Sequence, residues 1–98
     1  MEEHAKKVAE LLKLMANENR LLILCSLTKG SKTVSEICEV VPKISQPGLS
    51  QHLQLMRTAG ILSSEKKAQN VTYSISDNRI NKLMETLEEN YCVNDELI

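Results

Sequence analysis

Phenylalanine and tryptophan are absent and only two tyrosines are present, so any core this 98-residue chain builds must be aliphatic. Long apolar runs are missing too. The longest, Leu21 to Cys25, falls far short of the roughly 20 residues a membrane-spanning helix needs. No signal-peptide pattern opens the chain, and the expected location is the cytoplasm, with no membrane partner. Three cysteines, Cys25, Cys38 and Cys92, argue there against a disulfide scaffold and point to core thiols, a metal site or redox chemistry. There is no phosphate-binding glycine loop, and neither histidine stands in a motif with a nucleophile, so an enzyme is not expected. No low-complexity segment, internal repeat or linker interrupts residues 1–98, which are read as one domain.

Neither sign of charge dominates the whole, at a net −1, but the distribution is uneven. Lys43 to Lys67 holds four bases and one acid, whereas Glu85 to Ile98 holds five acids and no base. A basic face opposed by an acidic end suits a protein that meets phosphates on one side.

The most informative stretch is Lys43 to Gly60. Ser45 is a good helix N-cap, Pro47 fits the first turn, and Gly60 supplies a C-terminal stop. Ile44 and Leu49 are spaced as a hydrophobic staple. At 100° per residue Leu49, Leu53 and Met56 share one side, with His52 at its edge. The opposite side carries Gln46, Ser50, Gln51, Gln54, Arg57 and Thr58, a face without an acid and with one base. Solvated helices usually carry Glu and Lys in i,i+4 pairs. Short amide and hydroxyl side chains instead match base edges in a major groove that admits a helix. The alternative is a polar surface helix that lacks charge by chance, and the stretch taken alone tips toward nucleic-acid binding.

Before it, periodicity predicts a helix over Glu2 to Ala16 with Val8, Leu11, Leu12 and Met15 as its stripe. Asn17 or Asn19 caps a second helix over Arg20 to Thr28, apolar almost all round, and Lys29 to Lys32 forms a turn. Thr33 or Ser35 caps a third over Ser35 to Val41, with Ile37, Val40 and Val41 inward, ended by Pro42. A short helix, a turn and a longer polar-faced helix make a helix-turn-helix. After Gly60 the period falls to 2: Ile61 to Glu65 and Val71 to Ile75 are strands joined by the basic, amide-rich loop Lys66 to Asn70. A hairpin in this position is a wing. Asp77 caps a last helix to about Tyr91, striped by Ile80, Leu83, Met84, Leu87 and Tyr91. A core this small cannot cover the stripes of both terminal helices, which points to a homodimer. The expected fold is mainly α with a small β-hairpin, a winged helix-turn-helix in the order α-α-α-α-β-β-α.

Leu14 to Leu24, Ile44 to Leu53 and Arg57 to Leu62 carry a resemblance that extends over nearly the whole chain. In them the protein resembles the ArsR/SmtB family of small bacterial winged-helix repressors. The resemblance implies a homodimer joined by its first and last helices, a double-stranded DNA operator with two-fold symmetry, and release of DNA on sensing an inducer. The candidate DNA-contacting residues are Ser45, Gln46, Pro47, Ser50, Gln51, Gln54 and Arg57 on the helix, with Lys66, Lys67 and Gln69 on the wing.

The metal sites of that family are broken here. Its Cys-x-Cys in the third helix is Cys38 with Val40 in the second place. Its last-helix set keeps Asp77 but has Arg79, Asn90 and Val93 where ligands are needed. Zinc takes three or four ligands, so neither a metal nor any other cofactor is expected. Cys25 and Cys92 instead resemble the cysteine pair of the family's dithiol branch, the sulfide- and persulfide-responsive repressors of the BigR, YgaV and SqrR type with the haemolysin-gene regulator HlyU. The wing from Ala68 to Ile75 is similar as well. The resemblance implies that Cys25 and Cys92 form an intrasubunit disulfide or polysulfide bridge that switches DNA binding. A metal- or metalloid-responsive repressor and a winged-helix protein-interaction module are the alternative readings, and Cys38 is read as a core or interface thiol.

Overall fold

The computed structural model describes residues 1–41, 43–93 and 96–97, and the side chains of residues 1–41 and 43–91. Five helices and two small sheets follow in the order α1 (Glu2–Met15), α2 (Glu18–Leu27), β1 (Lys32–Thr33), α3 (Val34–Val40), α4 (Gln46–Thr58), β2 (Leu62–Lys67), β3 (Asn70–Ile75), α5 (Asn78–Tyr91), β4 (Cys92–Val93) and β5 (Glu96–Leu97). The helix boundaries are written in local chemistry. The Asn17 side chain accepts from the backbone N–H of Arg20 and caps α2. Thr33 and Glu36 form a reciprocal capping box at α3, at 3.2 and 2.8 Å. Asp77 accepts from the Arg79 N–H at 2.9 Å and opens α5.

The sheet is antiparallel in the order β1-β3-β2, with β2 and β3 in register from Leu62↔Ile75 to Lys67↔Asn70. Its inner face joins a core that is aliphatic apart from Tyr73, the only aromatic side chain in it. Ile23, Leu24, Ile37, Leu49, Leu53 and Met56 at its centre are wholly inaccessible. Mostly helical with a small antiparallel hairpin, this is a winged helix-turn-helix.

Four details differ from the sequence-based expectation. Lys32 belongs to a strand, not the preceding turn: with Thr33 it pairs with Tyr73 and Thr72, and two residues are too few to show a period. Val40 is exposed at 42% although Ile37 and Val41 are buried, because the helix stops at Val40 and Val41 turns the chain inward. The strands run on through Lys67 and from Asn70, leaving Ala68 and Gln69 alone in the turn. The stripe of α5 is largely covered within the monomer: Ile80 and Met84 are buried and Leu83 and Leu87 pack against the core, while Tyr91 is exposed. The stripe of α1 is the open one, with Val8 and Leu12 about half exposed. Pro42, expected to end the third helix, lies outside the described residues.

Candidate nucleic-acid interface and thiol pair

The ends of α4 are fixed by its own sequence. Ser45 Oγ accepts from the Gly48 N–H at 3.2 Å, and Pro47 occupies the first turn, where no intrahelical donor is required. A side chain at position 48 would come within 3.2 Å of both Ile44 Cγ1 and Ser45 Oγ, so glycine there lets the staple close. At the other end the Gly60 N–H bonds the Arg57 carbonyl and the Ile61 N–H bonds the Met56 carbonyl, a Schellman stop with Gly60 at φ 85°.

Between these stops Leu49, Leu53 and Met56 are buried and turn the opposite face outward. Ser45, Gln46, Pro47, Gln51, Gln54 and Arg57 are exposed, and Ser50 is half-buried at the margin. Pro47, Gln51, Gln54 and Thr58 stand nearest the centre of the outward face by helical phase. Leu55 is also exposed, at 44%, beside this amide row. Neither face assigned from the sequence includes Leu55.

On the wing, Lys66, Lys67 and Gln69 are all exposed. Strand alternation separates the two lysines. Lys66 pairs with Val71 and lies on the face of Leu62, Tyr73 and Ile75, whereas Lys67 lies on the opposite face with Ser63 and Glu65. At the tip Ala68 takes φ 55°, a left-handed conformation unusual for alanine.

Arg20 was not singled out in the sequence, yet it ties three helices together. Its Nε donates to His52 Nδ1 at 3.1 Å and its Nη1 donates to the Leu14 carbonyl at 2.9 Å. His52 lies 32 positions away and Leu14 on the preceding helix, so no periodic signal announces the set. Burial first, and then the Arg20 charge, hold the His52 imidazole below its usual pKa of 6.5.

The thiols sit elsewhere. Cys25 is half-buried on α2, and its Sγ donates to Glu88 Oε1 on α5 at 3.1 Å. Thr28 Oγ1 lies 3.2 Å from the same oxygen and 2.9 Å from the Cys25 carbonyl, and its single proton serves one of the two at a time. The backbone of Cys92 follows α5 directly, four positions after Glu88, in the two-residue strand β4 that pairs with β5. Its side chain lies outside the described set. Cys38 is half-buried against the core on α3.

At the broken metal positions, Asp77 holds Arg79 through both carboxylate oxygens, with contacts of 2.7 to 3.2 Å. Asn90 donates to the Thr86 carbonyl at 2.7 Å. Among the described residues no three of His, Cys, Asp and Glu come together as a metal-binding group. Nor is any helix among them long and apolar enough to cross a membrane.

Residues 17–64, from the cap of α2 through the helix-turn-helix into β2, match the family model described as bacterial regulatory protein, arsR family. The transcriptional activator HlyU of Vibrio cholerae is 40% identical over 92 residues, spanning 94% of this chain and 84% of that protein. The chain belongs to the ArsR family. The biofilm growth-associated repressor of Agrobacterium fabrum is 36% identical over 96 residues, 98% of this chain and 81% of that one. Among solved structures, HlyU from Vibrio cholerae superposes with a TM-score of 0.89, covering 95% of this chain and all of that one. The repressor BigR from Xylella fastidiosa superposes at 0.86 with 31% identity, covering 96% and 95%. This ArsR-family protein is therefore a DNA-binding transcriptional regulator with a winged helix-turn-helix, and not an enzyme.

Proposed function

We propose that this regulator is a homodimeric, cytoplasmic repressor of a two-fold symmetric operator, and that cysteine chemistry at Cys25 and Cys92 releases it from DNA. The observation that carries the switch is the Cys25–Glu88 hydrogen bond. It seats the last turn of α5 against Cys25, and Cys92 is the fourth residue after Glu88, immediately beyond the end of that helix. A direct disulfide requires Cα atoms within about 7 Å, and inserted sulfur relaxes that limit. The relatives named as a biofilm growth-associated repressor and as HlyU are consistent with this reading.

In the DNA complex Gln46, Ser50, Gln51 and Gln54 meet base edges, Ser45 and Pro47 place the helix start, Arg57, Lys66 and Lys67 meet the backbone, and Gln69 lies in the minor groove. A second copy covers Val8 and Leu12 on α1, with the end of α5 beside it. Among the described residues, the hydrophobics of α1 that pack against the core are Leu11, Leu14 and Met15. Tethering α5 to α2 by a bridge shifts the spacing of the two recognition helices, and half-sites roughly 34 Å apart tolerate little change.

The deciding experiment titrates one operator with reduced, disulfide, polysulfide-treated and metal-loaded protein. Operator release on polysulfide treatment, lost in both Cys25→Ser and Cys92→Ser but kept in Cys38→Ser, is the expected result. Release that survives in the double variant, or linked peptides that join Cys38, would overturn the switch.

A further inference from the structure

The buried face of α4 is apolar throughout. Such contacts hold a helix down but are non-directional, and they set its rotation about its own axis only loosely. Side-chain tips lie about 5–6 Å from a helix axis, so a rotation of about 10° moves them by about 1 Å. That displacement is enough to spoil a base-edge hydrogen bond. A directional contact at the margin between the buried and exposed faces would fix that rotation more tightly.

His52 stands at that margin, next in the chain to Gln51, and Arg20 grips it. Arg20 is itself fixed at two further points. Its backbone N–H is held by Asn17 Oδ1 at 3.1 Å, and its Nη1 bonds the carbonyl of Leu14, one of the last carbonyls of α1. The last four carbonyls of a helix lack intrahelical partners, so this guanidinium completes α1 and orients α4 together. We infer that Arg20 and His52 are positioning residues that set the rotation of α4 in the groove and couple it to α1. The inference rests on the reading of α4 as the base-contacting helix.

The chemistry gives the pair a pH limit. His52 Nδ1 accepts from Arg20, so the ring proton sits on Nε2. An imidazolium has no acceptor and would face the guanidinium as a second cation. The charged group facing His52 from α2 is Arg20, α1 reaches the pair through a backbone carbonyl, and the only other ionisable side chain on α4 is the exposed Arg57.

The test is the ratio of operator affinity to affinity for unrelated DNA, from pH 8 to 5.5, which cancels the general gain in phosphate attraction that acid brings. In the parent the ratio stays level through neutral pH and falls in acid, below the ordinary imidazole range, by about tenfold once the contact is gone, the size of one good base contact. His52→Asn places an amide oxygen where Nδ1 was and cannot titrate, so it keeps the neutral-pH ratio with a flat profile. Arg20→Lys keeps the charge but cannot serve both acceptors, and its ratio is about tenfold lower at every pH. A parental ratio in Arg20→Lys, or the same acid slope in His52→Asn as in the parent, overturns the inference. Should Arg20→Lys fail to fold, the His52→Asn profile decides alone. Gln51→Ala separates the two levels: no change at any base position sinks the reading helix itself, whereas a change there with an unaffected Arg20→Lys sinks only the positioning.

Discussion

Cys25 donates its thiol proton to Glu88, a residue 63 positions later and on another helix. The nucleophilic form of cysteine is the thiolate, and here a thiolate would form at hydrogen-bond distance from a carboxylate. Glu88 therefore restrains Cys25. Glu88→Gln removes the carboxylate and leaves a side chain of the same shape, and alkylation of Cys25 by iodoacetamide in the reduced protein at pH 7 should quicken. Mass spectrometry of the Cys25 peptide over time reads it. An unchanged rate would show that the carboxylate exerts no restraint.

The separation of Lys66 and Lys67 across the two faces of the wing predicts unequal roles. A phosphate row approaches a hairpin from one side, so one lysine of the pair carries most of the contact. The single variants Lys66→Ala and Lys67→Ala should differ, one flattening the salt dependence of DNA binding by roughly 0.9 in log–log slope and the other by much less. Equal losses in both would mean that the tip itself, where the faces meet, lies on the backbone.

Ala68 at φ 55° carries a conformational cost that glycine avoids. The left-handed region costs an L-residue about 1–2 kcal/mol, and the greater freedom of glycine in the unfolded chain returns part of it. Ala68→Gly should stabilise the protein by about 0.5–1 kcal/mol in chemical denaturation. A destabilised variant would argue that the turn is held by contacts to the methyl group.

Asp77 caps α5 and grips Arg79. The Arg79 side chain first, and its backbone N–H second, hold the carboxyl at about 2, below the ordinary 3.8. Because the folded value is the lower one, the contribution to stability is complete above pH 3.8 and disappears as pH falls towards 2. Asp77→Asn can still cap but does not titrate, so its acid unfolding curve should be shallower than the parent's between pH 4 and 2. Curves of equal steepness would remove Asp77 from the acid response.

Features with a local cause were legible in the sequence. The Ser45 cap, the Gly60 stop, Asn17 as a cap and the buried stripe of α4 each follow from a residue and its near neighbours. Other features depend on segments that meet only in three dimensions. Arg20 reads as an ordinary polar residue until His52 and Leu14 arrive beside it, and Lys32–Thr33 becomes a strand only because Tyr73 and Thr72 pair with it. The stripe of α5 looked free because periodicity reports that a face is apolar, without saying whether the same chain covers it. The wing lysines looked like one feature because adjacency in sequence is opposition in a strand.

Thr33 belongs to two structures at once. It pairs with Thr72 midway along β3, and its hydroxyl begins the capping box of α3. A wing hinged independently of the helix-turn-helix would break one of these contacts, so Thr33 opposes such a hinge. A wing held in this way has less freedom to adjust its span to each sequence it meets. If the proposed contacts hold, the adjustment would fall on the duplex, and base steps between the points of contact would enter the choice of site through how readily they bend or narrow their grooves.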